Sequence, residues 1–282
     1  VSATPRIRTS PRPFLKWVGG KGQLLPALLA AFRDADGIQR YHEPFVGGGA
    51  FYFELKRLGM LGRNKSYLSD ANTRLIETYE AVRDDTDALV KQLREHAALH
   101  DKDHYYATRA AIPTDRAARA ARVIYLNRTC FNGLYRENSR GEFNVPMGRY
   151  VNPLICDEEN LRAVAAALRD AKLSSRPFRD SAKDVKTGDF VYFDPPYDPV
   201  STTASFTSYH KDDFGREDQK ELSETFRELD KRGARVLLSN SDTPYIRKLY
   251  KGFRIEQVMA SRQVNSRADR RGKIAELLVR NF

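Results

Sequence analysis

The sharpest chemical signal in this 282-residue sequence is Asp194-Pro195-Pro196-Tyr197. The four residues follow the apolar Val191–Phe193, the end of a stretch, Asp189–Phe193, that reads as a strand. Two prolines fix φ and remove two main-chain donors, so the stretch offers outward carbonyls. An exocyclic NH2 group needs two acceptors. The Asp194 carboxylate and the Pro195 carbonyl can supply one each, and Tyr197 adds a flat face on which a base can stack. A purely structural Asp-Pro-Pro turn has the same letters, so the tetrapeptide takes its meaning from its company.

That company begins at Glu43-Pro44-Phe45-Val46-Gly47-Gly48-Gly49. Glycines directly after a strand let a ligand approach the backbone where a Cβ would collide. The segment lacks the three-glycine dinucleotide spacing and the Gly-Lys-Ser/Thr ending of a phosphate loop, which favours a nucleoside without a pyrophosphate. Phe45, Gly47 and Gly49 are the candidate cofactor contacts of this turn. Asp70 closes the next strand, where an acid can accept from two ribose hydroxyls; it can equally cap the following helix. Upstream, Lys16-Trp17-Val18-Gly19-Gly20-Lys21 packs an aromatic, two glycines and two cations together. Trp17 can cover a ligand and Lys21 can meet its carboxylate, although Trp17 also suits a plain core position. Together, the glycine turn, Asp70 and the Asp-Pro-Pro-Tyr end point to a methyl-transfer site.

These residues need a strand, a glycine turn, a helix and a second strand ending in an acid, which is the opening of a doubly wound α/β sheet. The pattern supplies them. Tyr41–Val46 and Lys65–Leu68 read as strands, and Gln23–Phe32, Ala50–Leu58 and Leu75–Val82 as helices. Between residues 85 and 171 the strand signal fades, and Asp84–Leu99, Ala117–Leu126 and Asn160–Leu168 read as helices. The sheet returns at Asp189–Phe193 and Ala234–Leu238, with a helix at Arg216–Lys231 between them and closing strands at Phe253–Met259 and Ile274–Asn281. The expected organisation is a loose basic tail at 1–12, a core formed by 13–84 and 172–282, and an inserted mainly helical module at 85–171.

The insert holds Asn127-Arg128-Thr129-Cys130-Phe131-Asn132-Gly133-Leu134-Tyr135-Arg136. Asn132-Gly133 favours a tight turn. Ser139–Gly141 suggests a hairpin tip and Phe143–Val145 a returning strand. Arg136 can read guanine, Asn132 or Asn144 can address adenine or phosphate, and Phe131, Leu134 or Tyr135 can wedge into a base stack. A polar hairpin whose arginines touch only phosphate fits the same letters.

Composition narrows the classes. Lys plus Arg number 48 against 37 Asp plus Glu, a net charge of +11 that suits a polyanionic partner such as nucleic acid. Hydrophobic residues at 41 % and charged residues at 30 % exclude fibrous and fully disordered chains. The two cysteines, Cys130 and Cys156, have no metal-like spacing and form no disulfide framework, so the expected setting is cytoplasmic with no metal. No apolar run approaches a membrane span. Arg262, Arg267, Arg270, Arg271 and Lys273 form a late basic stretch that can face phosphate.

The chain resembles the Dam-type DNA adenine-N6 methyltransferases of GATC-modifying systems. The matching stretches are KWVGGK (16–21), EPFVGGGAFYFEL (43–55), LSDAN (68–72), FNGLYRENSRGEFNVPMGRY (131–150), DFVYFDPPY (189–197), FTSY (206–209) and LLSNSD (237–242), in the order such enzymes use. The resemblance implies a Rossmann-like class I methyltransferase sheet, an inserted target-recognition domain containing a β-hairpin, S-adenosylmethionine as methyl donor with S-adenosylhomocysteine as product, and double-stranded DNA as substrate. It places Trp17, Lys21, Asp70 and Asp194 at cofactor positions, Asp194, Pro195 and Tyr197 in the catalytic motif, and Phe131, Asn132, Leu134 and Arg136 at positions that touch DNA. GATC becomes the expected target, with base flipping, direct in-line transfer, a monomeric enzyme and a separate restriction endonuclease as possible partner. N4-cytosine methylation is the rival enzymatic reading, and Asp at 194 together with the hairpin argues for adenine. A DNA-binding protein on a degenerate core is opposed by intact Asp70, Asp194, Pro195 and Tyr197.

Overall fold

The computed structural model describes residues 10–17, 21–138, 140–199, 214–261 and 273–282. Its elements in chain order are α1 (Leu25–Arg33), β1 (Arg40–Glu43), α2 (Ala50–Arg57), β2 (Lys65–Asp70), α3 (Thr73–Asp84), α4 (Thr86–Ala98), α5 (Lys102–Ala110), α6 (Arg116–Thr129), a 3-10 turn (Phe131–Gly133), α7 (Glu158–Leu168), β3 (Ala171–Ser175), α8 (Phe178–Lys183), β4 (Phe190–Phe193), α9 (Arg216–Lys231), β5 (Arg235–Ser241), α10 (Pro244–Leu249), β6 (Arg254–Ser261) and β7 (Lys273–Arg280). The result is a mixed α/β fold with helical insertions. The chain forms two compact units. Unit 1 comprises Val1–Gly20, Gly47–Gly62 and Asn72–Ser175; unit 2 comprises Lys21–Val46, Arg63–Ala71 and Arg176–Phe282.

In unit 2 the strands lie in the order β2-β1-β4-β5-β7-β6. β2, β1, β4 and β5 run parallel, and β7 is antiparallel to both β5 and β6. β4 is buried at every position because it is covered on both faces, as a central parallel strand must be. Val191 and Phe193 pack with Phe178 of α8, Leu222, Phe226 and Leu229 of α9, and Ile246 of α10. Phe190 points the other way, against Phe32 of α1 at 4.8 Å between ring centroids. The i, i+4, i+7 spacing of Leu222, Phe226 and Leu229 puts all three on the buried stripe of α9.

The start of this sheet is pinned by Asp189. Its carboxylate accepts from Arg40 Nε at 2.9 Å and the Lys186 amide at 2.7 Å, and lies 3.1 Å from His42 Nε2. Burial works to raise this carboxyl, but the His42 and Arg40 bonds and the Lys186 amide outweigh it and hold the group down at about 2. Because the central strands run parallel, their C-terminal ends deliver Glu43, Asp70, Asp194 and Ser239–Ser241 to one edge of the sheet.

Unit 1 is mainly helical. α6 is buried along most of its length, from Ala117 to Thr129, with α3, α4 and α5 against it; α7 and β3 pack on α3. Helix starts are capped by Asn72, Asp101, Asp115 and Asp157, each accepting a main-chain N–H three residues on. Arg12 is tied down by the Asn160 side chain, which accepts from its N–H at 3.0 Å and donates to its carbonyl at 3.1 Å.

Several elements depart from the sequence reading. α5, β3, α8 and α10 were not expected; all are nine residues or shorter, with little room for a periodic signal. β1 ends at Glu43 because Pro44 has no donor for the ladder. Phe143–Val145 forms no strand, only a single antiparallel bridge between Glu137 and Phe143.

Candidate active site

In unit 2, the edge at the C-terminal end of β4 gathers Lys21, Asp194 and Tyr197. Lys21 Nζ lies 2.9 Å from Asp194 Oδ1 and 4.5 Å from the centroid of the Tyr197 ring. Ser239 of β5 donates from Oγ to the same Asp194 oxygen at 2.7 Å, and Tyr192 OH stands 2.9 Å from Ser239 Oγ. Ser239 has one hydrogen and spends it on Asp194, so Tyr192 is the donor in that second bond. Burial pushes the Asp194 carboxyl up, Lys21 and Ser239 pull it back, and the net direction is upward. Tyr197 donates to Glu276 Oε2 of β7 at 2.9 Å, which fixes the plane of its ring. Burial, with Asp194 nearby, carries both Tyr192 and Tyr197 well above the ordinary phenol range, so both keep their protons.

A buried polar net holds the turn that follows. The prolines cannot anchor themselves through N–H groups, so anchors must reach their carbonyls and the residues beyond. Gln219 of α9 donates to the Pro196 carbonyl at 2.7 Å. Asn240 donates to Gln219 Oε1 at 2.9 Å and accepts the Asp198 amide at 3.2 Å. Ser241 Oγ donates to the Asp198 carbonyl at 2.6 Å, and Thr243 Oγ1 to the Asp198 carboxylate at 2.8 Å. Ser239 and Asn240 are neighbours on β5, so their side chains leave opposite faces. One holds the carboxylate of Asp194 and the other the backbone four residues later. Sequence reasoning gave none of Gln219, Ser239, Asn240 or Glu276 a role. The stretch LLSNSD was visible as a motif, but its partners are brought together only by the sheet.

Glu43, at the end of β1, is a second buried acid. Tyr41 OH donates to its Oε2 at 2.7 Å. Burial lifts the carboxyl to about 8, Tyr41 opposes the rise and the charge on Asp194 adds to it. Phe45 lies with its ring 5.4 Å from Phe178 and 5.5 Å from Phe214. Asp70 is half-buried at the end of β2, with its carbonyl accepting from the Arg176 amide at 3.0 Å. Asn72, not Asp70, caps α3.

Unit 1 holds the glycine turn and Trp17. Gly47 and Gly49 have φ of +46° and +67°. A Cβ on Gly47 would stand 2.9 Å from Trp17 Cδ1, and one on Gly49 would stand 2.7 Å from Tyr79 OH. Side chains are thus excluded on both steric and conformational grounds. Trp17 also stacks on Tyr135, with centroids 5.5 Å apart and planes at 29°.

The hairpin segment is in the same unit. Asn132 and Gly133 take φ of +55° and +63°, the left-handed pair that Asn-Gly favours. Phe131, half its surface exposed, and Asn132 stand at the tip of this turn. Arg136 donates from Nε to Asn144 Oδ1 at 2.8 Å, and the Asn144 amide donates to the Arg136 carbonyl at 3.1 Å, so these two candidates face each other across the hairpin. Leu134 is half-buried. Tyr135 is not at the tip: its ring lies against Trp17 and its hydroxyl donates to Glu137. Burial raises the Cys130 thiol to about 11, which removes thiolate chemistry there.

Val18–Gly20, Ser139, Phe206–Tyr209 and Arg262–Arg271 lie outside the described residues. Among the described residues no cluster of three metal-ligating side chains occurs, and no helix is long and apolar enough to cross a membrane.

The geometry meets its relatives at this point. A family model described as D12 class N6 adenine-specific DNA methyltransferase matches residues 17–264. The chain is 43 % identical over 288 residues to Type II methyltransferase M.MjaIII of Methanocaldococcus jannaschii, covering 96 % of this chain and 99 % of the relative. It is 40 % identical over 279 residues to Type II methyltransferase M1.LlaDCHI of Lactococcus lactis subsp. cremoris, covering 96 % and 95 %. DNA adenine methylase of Escherichia coli strain K12 is 36 % identical over 271 residues, with 95 % and 94 % covered.

Proposed function

The chain belongs to the D12 class of N6 adenine-specific DNA methyltransferases, and from that premise we propose that it methylates adenine N6 within GATC in duplex DNA, by direct in-line attack of an extruded base. The observation that carries this reading is the Asp194 carboxylate at the mouth of the parallel strands, aimed by Lys21 and Ser239 and followed at once by Pro195 and Tyr197.

The residues fit a nucleoside-bearing methyl donor. Gly47 and Gly49 let Trp17, Phe53 and Tyr79 close directly on the backbone of the turn, which sets the Trp17 ring beside the glycines, and Asp70 ends a parallel strand as a ribose ligand should. Trp17, Lys21, Phe45, Gly47, Gly49, Asp70 and Asp194 would hold S-adenosylmethionine, which supplies an electrophilic methyl group on sulfur. The chain's own work is on the amine. Asp194 and the Pro195 carbonyl accept its two hydrogens, which draws the nitrogen lone pair out of conjugation and stabilises positive charge growing on nitrogen. Tyr197 stacks on the base and offsets part of the few kcal/mol that unstacking costs. Lys21 and Ser239 favour the ionised, acceptor-only form of Asp194 that this task requires, against the burial that raises its carboxyl.

The division of labour follows the sequence: 13–84 with 172–282 for catalysis on a Rossmann-like sheet, and 85–171 for target recognition. Arg136 paired with Asn144 would read a base edge while Phe131, Asn132 and Leu134 engage the stack, and the likeness of this hairpin to GATC-reading enzymes supports that target. We read the enzyme as a cytoplasmic monomer, with a restriction endonuclease as possible partner.

Labelled-methyl transfer to duplexes that differ at one position of GATC, followed by identification of the modified nucleoside, tests this. N6-methyladenine made only on the intact site is expected, with Asp194→Ala inactive but still binding DNA. N4-methylcytosine as product, or near-normal turnover by Asp194→Ala, refutes it.

A further inference from the structure

Two consecutive residues of unit 1, Lys16 and Trp17, face the two recognition elements of that unit. The Lys16 side chain fills the place a Cβ on Gly133 would take, since such an atom would stand 2.6 Å from Lys16 Cβ. Gly133 belongs to the Asn132-Gly133 turn assigned above to DNA. Trp17, one residue on, closes against Gly47 at 2.9 Å and Gly48 at 3.1 Å by the same measure, and these belong to the turn assigned to the cofactor.

The dipeptide is pinned. Asn127, fully buried on α6, accepts the Lys16 amide at 2.7 Å and donates to the Lys16 carbonyl at 2.8 Å. The same side-chain amide donates to the Gly133 carbonyl at 3.1 Å. One buried side chain thus ties the backbone of the bar to the backbone of the DNA turn. The far side is closed by Tyr135, which stacks on Trp17 and reaches Glu137 through its hydroxyl, while Arg74 pairs with Glu137 and donates to the Gly141 carbonyl at 2.7 Å. On the other flank, Tyr79 OH donates to the Gly47 carbonyl at 3.0 Å. Every step between hairpin and glycine turn is a packed ring or a satisfied hydrogen bond. A close-packed interior transmits displacement, since its side chains have no slack to absorb it.

We propose that the Lys16–Trp17 bar couples DNA engagement to cofactor affinity, with Asn127 and Tyr135 as its positioning residues. The inference rests on the functional reading above. Duplex DNA that engages the Asn132-Gly133 turn and the hairpin in the arrangement seen here reinforces the placement of Trp17 against the glycine turn, so less ordering is left for the cofactor to impose when it binds. Linkage makes the effect reciprocal: bound cofactor must tighten DNA binding by the same factor.

The sequence contains one tryptophan, so intrinsic indole fluorescence reports Trp17 itself. The test titrates S-adenosylhomocysteine into the full chain, with and without saturating GATC duplex, for wild type, Tyr135→Leu, Tyr135→Phe and Asn127→Asp, with thermal midpoints recorded for each. Duplex should tighten binding about 5-fold or more in wild type, the lower end of ordinary coupling. Tyr135→Phe, which keeps the ring, should retain that factor. In Tyr135→Leu and Asn127→Asp the factor should fall below about 2-fold. Where Tyr135→Leu does not fold, Tyr135→Met replaces it. Wild type that binds both ligands independently overturns the coupling and leaves the functional reading standing, as does a folded ringless variant with the full factor. Wild type that binds no S-adenosylhomocysteine overturns both.

Discussion

Replacing Ser239 with alanine isolates what the second anchor of Asp194 contributes. Ser239 is fully buried and donates to Asp194 Oδ1 at 2.7 Å, and no ligand role is assigned to it. A hydrogen bond to a charged group is worth about 1.5–3 kcal/mol. If the whole of it serves to keep the carboxylate ionised and aimed as charge builds on the amine, the loss in kcat is about 10- to 150-fold, at tenfold per ~1.36 kcal/mol. That range is an upper bound, since Lys21 still holds the same oxygen at 2.9 Å. The pH profile carries the sharper signature. Burial already lifts Asp194 and the Ser239 bond opposes that rise, so Ser239→Ala lifts it further. The working form is the ionised one, and activity is lost as pH falls through the group's pKa. The acid limb of kcat must therefore move to higher pH, and the rate deficit must shrink as pH rises. Single-turnover methyl transfer across the pH range measures both. Superimposable profiles, or a limb displaced to lower pH, would refute the argument.

Three further perturbations follow from the same geometry. Gln219→Leu leaves the Pro196 carbonyl and the Asn240 amide without their partner, so kcat should fall about 5- to 10-fold, equivalent to one hydrogen bond of ~1 kcal/mol, while S-adenosylhomocysteine affinity stays within twofold; equal losses in both would argue against a positioning role. Glu43 is held neutral up to about 8 in the fold, whereas an unfolded chain ionises it near 4.5, so its cost to stability builds between those values and is full above them. Glu43→Gln should thus gain thermal stability relative to wild type at pH 9 but not at pH 4, and scanning calorimetry at both values decides. Asp189 is the opposite case: held at about 2 in the fold, it contributes about 2 kcal/mol above the ordinary carboxylate range and loses it as pH falls from near 4 towards 2. Asp189→Asn should lower the denaturant midpoint at pH 7 and flatten the acid-unfolding curve; an unchanged midpoint would mean Arg40 and His42 do not depend on it.

Much of the reaction edge is legible in the letters because its signals are local. A glycine turn after a strand, an acid at the next strand's end and two prolines after an apolar run each constrain the backbone where they stand. The left-handed pair Asn132-Gly133 is of this kind, and the structure has it. What could not be read is whatever depends on neighbours distant in the chain. Ser239 and Asn240 look like ordinary polar residues of a strand until β5 lies beside β4 in register Tyr192↔Leu237 and Phe193↔Leu238. Gln219 looks like a solvent-facing helix residue, yet it is buried and spent on a proline carbonyl. Tyr135 carries the type expected of a stacking wedge, but Trp17, more than a hundred positions earlier, has already taken its face. Short elements such as α8 and α10 escape for a simpler reason: six residues contain fewer than two helical turns, too few for a period to show.

The paired prolines after Asp194 have one more effect, on which purines are refused. Neither contributes an N–H, and the carboxylate beside them is an acceptor while ionised. A base carrying an amine brings two hydrogens to this rim and satisfies it. Hypoxanthine, the same ring system with oxygen in the amine's place, brings lone pairs to lone pairs. On the proposed reading, a site built to receive hydrogens disfavours an analogue lacking them, so deaminated adenine, which has no amine to methylate in any case, would also compete poorly for the place of the extruded base.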